Sequence, residues 1–335
     1  MINPMLQAKR FIKNSIVTSR IPRVLRKNAE PAIIVLRYHS IQENPMRYDD
    51  YIDSDIVHSL DMFTEQMEFV ARRFSPVSMD EVYSFLDDKT TIPKDAIAIT
   101  FDDGFADNFE VANPVLKRFG IPATFYVTVN SVIIRTLPWF CRIRYAFATT
   151  NRKNWFDSKT GISRSMGTMA EKHAVFREVA NRCASLSNIE QEKFVNGIEN
   201  EFDIGSLCRP DLMLNWEQIK KMHDDGHIIG SHTMTHPNVA HITENEQKWE
   251  IEKSKQLLEN ELGVLCKHFS YPHPTLNPHW TKQTVALTGE AGYKTATTTS
   301  FGLVKQNDNP LEIKRIVVPK EKVDFMYLLD TIRLK

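Results

Sequence analysis

The chain has 335 residues, of which 42% are hydrophobic, and its 42 basic and 42 acidic side chains give a formal net charge of zero. This composition is typical of a globular protein with a sizeable core, and it argues against functions that need a strongly basic surface, nucleic-acid binding above all. No apolar run reaches the roughly 18 to 20 residues of a membrane-spanning helix, and no CxxC pair indicates a cysteine zinc site or a disulfide framework.

The first thirty residues are basic and amphipathic. Their only acidic residue is Glu30, and apolar side chains such as Phe11 and Ile12 alternate with lysines and arginines. No continuous apolar segment of a cleaved secretory signal is present, so we expect a cytoplasmic protein. Residues 1–30 either lie on the cytoplasmic face of the inner membrane as a peripheral contact or pack on the fold as an ordinary helix or arm.

From residue 31 onward, short apolar runs alternate with segments of helical period. Ser78 with Glu81 is a capping-box pair, and Gly120 is placed to end a helix. The predicted strands are residues 32–36, 96–101, 123–128, 227–230, 268–271, 295–298 and 313–317. The predicted helices are residues 59–73, 79–86, 111–119, 216–225, 244–262 and about 278–291. This alternation predicts an α/β fold with a largely parallel sheet, most simply a barrel.

Residues 136–213 interrupt the alternation. They are polar, have helical period at 170–183 and 189–202, and contain no predicted strand. We therefore expect a helical insertion on one rim of the barrel.

An Asp-Asp-Gly sequence, Asp102 to Gly104, follows directly after a predicted buried strand. The carboxyl ends of parallel strands are where α/β folds build their ligand sites, although the tripeptide alone is also a common turn. Because neighbouring carboxylates diverge, one of them could bind a cation while the other accepts a proton.

Two histidines, His232 and His236, follow the predicted strand 227–230. Their i, i+4 spacing predicts that both imidazoles lie on one face of a helical turn and reach one metal. An isolated HxxxH often arises by chance, but its position at a strand end that corresponds to that of Asp103 makes chance less plausible. Two imidazoles and a carboxylate suit Zn²⁺ and leave positions for water and substrate; Co²⁺, Ni²⁺ or Mn²⁺ would suit the same ligands.

In this order, the motifs resemble those of polysaccharide deacetylases, the NodB-homology family-four carbohydrate esterases. The resemblance extends from about residue 33 to residue 318. The similar segments are Arg37–His39, Thr100–Gly104, Phe119–Phe125, Leu214–Trp216, Asp225–Gly230, Ser231–Pro237 and Phe269–Pro272. The resemblance implies a distorted (β/α) barrel of about seven strands over residues 31–335, with the helical insertion at about 136–213.

The resemblance also implies roles for individual residues. Asp103, His232 and His236 would hold the metal, Asp102 would be the general base, and the backbone N–H of His273 would stabilise the oxyanion. The implied reaction is metal-dependent removal of an N-acetyl group from an acetamido sugar. The implied substrate is a glycan, a glycolipid or a sugar precursor in bacterial surface-polysaccharide synthesis, because the segment 314–318 is similar to a subgroup associated with that process.

The sequence departs from the family pattern in its third motif and near its C-terminus. Ser270 stands where the family usually has an arginine that steadies the catalytic aspartate, and we hypothesise that Arg315 takes over that role. No Leu-x-His supplies the usual general-acid histidine near the C-terminus. His39 and His273 are therefore the candidates for the general acid, and either could instead be structural or substrate-binding.

Two other functions remain open. The same metal site could hydrolyse an O-acetyl ester or a non-sugar amide. Alternatively, the chain could be a carbohydrate-binding protein that has lost catalysis, although such a protein would not need Asp102. Trp139 and Trp216 could stack on a sugar or pack in the core or rim.

Overall fold

The computed structural model of the protein describes residues 11, 13–16, 19, 30–45, 50–157, 160–204, 209–274 and 276–334. The predicted basic arm, residues 1–30, lies mostly outside this set; within it, the Lys13 ammonium lies 2.6 Å from the Asp324 carboxylate. Within the described ranges, no helix is both long and apolar enough to cross a membrane.

Seven parallel strands curl into an incomplete barrel. They are seven of the thirteen strands in the described ranges, which in chain order are β1 (Ala32–Tyr38), β2 (Ser40–Gln42), β3 (Val57–Ser59), β4 (Ser75–Pro76), β5 (Ala96–Phe101), β6 (Ala123–Val127), β7 (Asn154–Asp157), β8 (Ile162–Ser165), β9 (Ile228–Ser231), β10 (His268–Ser270), β11 (Thr295–Thr297), β12 (Val304–Lys305) and β13 (Ile316–Val317). The barrel order is β11-β10-β9-β6-β5-β1, with β13 parallel to the second half of β1 and β12 antiparallel to its first half. The predicted barrel of about seven strands is confirmed.

The segment before β13 approaches the opposite edge of the sheet. The Ile313 amide donates to the Ala296 carbonyl, and the Thr298 amide donates to the Ile313 carbonyl. The same segment then pairs with β1 through Ile316. It therefore links the two edges of the curled sheet.

Helices cover the outside of the barrel. They are α1 (Leu60–Arg73), α2 (Met79–Leu86), α3 (Asn113–Phe119), α4 (Val129–Ile134), α5 (Trp139–Thr149), α6 (Met169–Ala184), α7 (Asn188–Glu201), α8 (Trp216–Asp224), α9 (Glu244–Lys248), α10 (Ser254–Leu262), α11 (Lys282–Glu290) and α12 (Lys322–Thr331). One π-helical segment, Asn108–Ala112, precedes α3, and another, Trp249–Lys253, joins α9 to α10. The Ser78–Glu81 capping box is present, and Gly120 ends α3 in the left-handed conformation at φ 64°.

Side-chain alternation along the strands divides the core into two parts. Ile34 and Leu36 pack outward in the main cluster beneath the helices, whereas Ile33 and Val35 belong to a separate cluster that includes side chains of α2. Arg37 comes two residues after Val35 and lies on the same face of β1. Its side chain therefore points into the barrel near the carboxyl ends of the strands. Apolar residues thus fill the amino-terminal half of the interior and polar residues the other half.

The insertion has its own small core and contains strands that the sequence did not predict. Its helices α6 and α7 confirm the predicted helices, but the prediction of no strand is wrong, because β7 and β8 form an antiparallel hairpin. The reason is that the buried face of β7 includes Asp157, which the Arg182 guanidinium contacts at 2.5 Å. A paired acidic residue on the inner face hides the alternating apolar pattern of a strand.

A glycine on β9 tests how tightly the interior is packed. A Cβ at Gly230 would lie 2.5 Å from the Tyr126 ring and 2.8 Å from the His268 carbonyl oxygen. We expect Gly230→Ala to lower the free energy of unfolding by about 1 to 3 kcal/mol through overpacking, measured by urea unfolding. The control is Gly197→Ala in α7, where nothing lies within 4 Å; it should be neutral or stabilising by up to about 1 kcal/mol. Equal losses in both variants would contradict this packing.

Candidate metal centre and active site

Three side chains from distant parts of the chain meet at the carboxyl ends of the strands. The Asp103 Oδ1 atom lies 3.5 Å from His232 Nε2 and 3.4 Å from His236 Nε2. All three residues are buried, and one ligand atom from each lies within 4.8 Å of the others. The structure thus brings together the three predicted metal ligands.

A strained turn after β5 presents the two aspartates. Asp103 and Gly104 have φ angles of 76° and 83°, in the left-handed region that Asp tolerates better than most residues and Gly adopts freely. A Cβ at Gly104 would lie 3.1 Å from Val127 Cγ1. The turn therefore packs closely on β6, and the Thr128 amide donates to the Asp103 carbonyl at 3.3 Å.

The prediction that His232 and His236 lie on a helical turn is wrong. The segment is an irregular loop after β9, in which Thr233 and His236 have φ angles of 67° and 60°. The Thr233 hydroxyl accepts a hydrogen bond from the His236 amide at 3.0 Å. The two imidazoles still converge, but through loop geometry and not through helical spacing.

A buried glutamate, Glu250, holds this loop in place. Its carboxylate accepts hydrogen bonds from the amides of Met234 and Thr235 at 2.8 and 2.9 Å and from the Thr235 hydroxyl at 2.5 Å. The Ser187 hydroxyl, at the start of α7, donates to the same carboxylate at 2.7 Å. Burial raises the pKa of Glu250, while these donors oppose the shift by favouring the charged form.

The hydrogen bonds of His232 indicate that this site suits a cation. Its Nδ1 atom lies 2.8 Å from the Ser270 carbonyl oxygen, which can only accept, so we assign the proton to Nδ1. Burial lowers the pKa of His232 to about 4, so the ring is neutral at pH 7 and its Nε2 carries a lone pair. That lone pair faces the Asp103 carboxylate, and a divalent cation between the two acceptors would satisfy both.

Asp102 does not face the two histidines in this way but forms a buried ion pair with Arg315. The Arg315 Nη1 and Nη2 atoms donate to its two carboxylate oxygens at 2.8 and 2.7 Å. Burial by itself would raise the pKa of Asp102, but the attraction of the Arg315 guanidinium outweighs this and holds the pKa well below its usual range. Asp102 is therefore ionised and fixed in orientation at neutral pH.

Ser270, at the position of the usual motif arginine, contacts this pair. Its hydroxyl lies 3.3 Å from Asp102 Oδ1 and accepts from Arg315 Nη2 at 3.1 Å. Arg315 also donates from Nε to the Thr298 carbonyl at 2.9 Å. The guanidinium thus reaches the aspartate from the residue just before β13, next to the small side chain of Ser270.

The two general-acid candidates lie in different surroundings. His39 follows β1 on the same rim and is half-buried; burial lowers the pKa of its imidazole to about 4, against the opposing attraction of Asp103 and Asp102. His273 lies on the exposed loop after β10, where its ring centroid is 3.6 Å from that of His279. Only His39 directly adjoins the strand end that carries the two aspartates.

The insertion contributes to the site, which the sequence analysis did not predict. The Trp139 indole N–H donates to the His236 carbonyl at 2.9 Å, and the Phe140 ring lies 4.8 Å from the His236 ring. Trp139 is 4% exposed and therefore packs in the interior, whereas Trp216 is half-buried against the main core. The sequence signal for this contribution was a pair of aromatic residues, Trp139 and Phe140, near the start of an otherwise polar insertion.

Comparison with known proteins places the chain among its relatives. The model of the polysaccharide deacetylase family matches residues 89–160 and 186–296, more than half of the chain. The chain belongs to the polysaccharide deacetylase family. The break in the match falls within the insertion and contains α6.

Individual relatives are distant. YxkH of Bacillus subtilis (strain 168), named as a polysaccharide deacetylase, is 23% identical over 222 residues, which are 66% of this chain and 51% of that protein. The chain thus spans about half the length of this relative. The structure of the deacetylase PplD of Streptococcus pyogenes, in complex with acetate, is similar with a TM-score of 0.60 and 19% identity over 90% of this chain and 99% of that one. A de-N-acetylase from Aggregatibacter actinomycetemcomitans gives a TM-score of 0.55 and 14% identity over 87% and 96%. These structures share the fold.

We expect Glu250→Gln to weaken metal binding by roughly 10- to 100-fold, the usual effect of removing a partner that orients metal ligands. Glutamine replaces one acceptor oxygen with an N–H₂ group, which cannot accept from the amides and hydroxyls around it. The measurement is competition for Zn²⁺ against a chelating dye. The control is Glu252→Gln, an exposed residue of the same π-helical segment. Equal zinc affinity in both variants would show that Glu250 does not position the ligands.

Proposed function

We propose that this polysaccharide deacetylase family member is a metal-dependent hydrolase that removes an N-acetyl group from an acetamido sugar of a glycan or glycan precursor. The observation that carries the proposal is one arrangement at the carboxyl end of the barrel. There, a candidate cation site made by Asp103, His232 and His236 lies beside a fixed, ionised Asp102.

Asp103, His232 and His236 would hold the divalent metal, with Zn²⁺ as the default and Co²⁺, Ni²⁺ or Mn²⁺ as alternatives. When bound, the cation would supply Lewis acidity toward the acetyl carbonyl and lower the pKa of a coordinated water. His232 is oriented for this role by its Nδ1 hydrogen bond to the Ser270 carbonyl, and His236 by the loop that Glu250 holds.

The protein's own groups account for the proton movements. Asp102, ionised and oriented by Arg315, accepts a proton from the attacking water as a new C–O bond forms at the acetyl carbon. The C–N bond then breaks, and the leaving nitrogen must receive a proton to depart as an amine. His39 and His273 remain the candidates for this donor, and His39 adjoins the strand end that carries both aspartates. Burial lowers the pKa of each imidazole to about 4, so either would have to gain a proton in the complex before it donates one.

Several observations support this function over its alternatives. A carbohydrate-binding protein without catalysis has no need for a buried carboxylate that is held at both oxygens by an arginine. An O-acetyl ester or a non-sugar amide would use the same groups. Membership of the polysaccharide deacetylase family favours a sugar, and the fold shared with a de-N-acetylase favours an amide. We also propose a role in surface-polysaccharide synthesis in the cytoplasm, with residues 1–30 contacting the inner membrane, on the basic composition of that segment.

The test is acetate release from N-acetylglucosamine oligomers by the Zn²⁺-loaded protein, with and without a chelator. We expect release that the chelator abolishes. Asp102→Asn should retain metal but lower kcat by roughly 10²- to 10⁴-fold, the usual contribution of a general base. The matched control is Asp224→Asn, an exposed aspartate on α8, which should be fully active. Release only from O-acetylated glycans would favour the esterase, and glycan binding without any release would favour the binding protein.

A second prediction concerns Arg315. In Arg315→Ala, burial is no longer opposed by the guanidinium, so the pKa of Asp102 rises. Activity should then fall as the pH is lowered through the raised pKa and recover at alkaline pH, whereas the unmodified protein keeps Asp102 ionised over this range. Ser270→Arg in the same variant should restore activity at neutral pH, because its side chain would start beside the Asp102 carboxylate.

The pH profile of kcat/KM for acetate release measures this effect. Unfolding curves of each variant separate it from a loss of folded protein, since removing one partner of a buried ion pair costs about 3 to 5 kcal/mol. Full activity of folded Arg315→Ala at neutral pH would rule out the positioning role.

A further inference from the structure

Arg37, near the carboxyl end of β1, is half-buried, and its side chain makes no hydrogen bond or ion pair with any residue that the structure describes. Its Nε atom is buried and makes no hydrogen bond. Among the residues that the structure describes, no carboxylate lies within ion-pair distance of its guanidinium. Leaving an arginine partly desolvated and unpaired is unfavourable, so this position calls for an explanation.

Within the described ranges, two buried arginines are paired with carboxylates, and a third, Arg333, donates to the backbone carbonyls of Lys94 and Ala96. Arg142 contacts Glu199 at 2.7 Å and Glu192 at 2.8 Å, and Arg315 contacts Asp102 at 2.7 Å. Arg37 differs because burial, and next the nearby Arg315 charge, lower its pKa to about 10. It is still cationic at neutral pH, and its charge is not neutralised within the described ranges of the chain.

The barrel register places Arg37 beside the candidate active site. Arg37 pairs with Thr100 of β5, two residues before Asp102, and with Val317 of β13, two residues after Arg315. The Arg37 charge is also near enough to interact electrostatically with Asp102 and Asp103 and with the imidazoles of His273 and His279. The guanidinium is therefore close to the candidate active site and to the loop after β10.

The charged groups described near Arg37 do not form an ion pair with its guanidinium. Arg315 already occupies both oxygens of Asp102, and a divalent metal would more than neutralise Asp103. The loop on the other side presents imidazoles, which are neutral or positive. With a divalent metal bound, an excess of positive charge would remain in the cleft, and its complement would be a negative group that comes from outside the protein.

We propose that Arg37 binds a negatively charged group of the substrate, a carboxylate or a phosphate carried by the acetamido sugar or by the unit next to it. The planar fork of the guanidinium matches both groups through paired hydrogen bonds. This inference rests on the proposed deacetylase function and predicts that the enzyme prefers anionic acetamido sugars to neutral ones.

The test compares three probes of similar size with the Zn²⁺-loaded full chain. They are the neutral methyl glycoside of N-acetylglucosamine, N-acetylglucosamine 1-phosphate and N-acetylmuramic acid, which carries a carboxylate. We expect kcat/KM for one of the anionic probes to exceed that of the neutral probe by at least tenfold. The anionic probe that is preferred distinguishes phosphate from carboxylate.

Variants assign the preference to Arg37. Arg37→Gln should lower kcat/KM for the preferred anionic probe by roughly 10- to 100-fold, the range for a hydrogen bond to a charged group, and leave the neutral probe within about threefold. Arg37→Lys keeps the charge without the fork and should retain part of the preference. The control is Arg118→Gln, an exposed arginine on α3 that changes the net charge equally and should leave the preference intact.

Calorimetric binding of the same probes gives a readout that does not need turnover. If no probe and no neutral oligomer releases acetate, the proposed function fails, while a loss of anionic-probe affinity in Arg37→Gln would still support the binding role. Equal kcat/KM or equal affinity for the three probes, or binding of none, overturns the inference and leaves the deacetylase proposal standing on the oligomer assay. An equal loss on all three probes would also overturn it, because Arg37 would then act on the acetyl group or the released acetate.

Discussion

The ion pair between Arg315 and Asp102 is the interaction on which the rest of the site depends. Arg315 belongs to the segment that links β11 to β1, and its backbone and side chain bond to Ser300 and Thr298 as well as to the aspartate. The same segment therefore links the two edges of the sheet and orients the candidate base, Asp102. The low polarity of the interior strengthens the attraction, and the same low polarity would penalise either partner alone.

The metal ligands depend on a second long-range constraint. The loop that carries His232 and His236 has two residues in the left-handed region, a conformation that a free chain would rarely adopt. Backbone amides in that loop instead donate to Glu250, from the helical segment after it, and Glu250 also accepts from Ser187 of the insertion. The geometry of the candidate cation site is thus set by residues that do not touch the cation position.

The sequence was sufficient for the barrel and for the convergence of its ligands, because apolar strands and strand-end polar residues are local signals. It was insufficient for the form of the ligand loop, since the i, i+4 spacing of two histidines carries no information about a distant buried glutamate. The sequence analysis also missed the hairpin of the insertion. Its buried face includes Asp157, whose ion pair with Arg182 cannot be seen in the sequence, so the segment lacks the apolar alternation of a strand. Arg315 could be suggested from the serine in the third motif, but its contact with both oxygens of Asp102 required the folded barrel.

The contacts of Trp139 and Phe140 with His236 have a consequence for exchanging parts between relatives. The insertion looks separable, since it has its own core, yet its first helix forms a wall of the ligand pocket and Ser187 at the start of a later helix anchors the ligand loop. A chimaera joined at the apparent ends of the insertion would replace the side chains that contact His236 and Glu250 with those of the other protein. Grafts meant to alter glycan recognition should keep those three side chains and exchange only the outer hairpin and the solvent-facing turns.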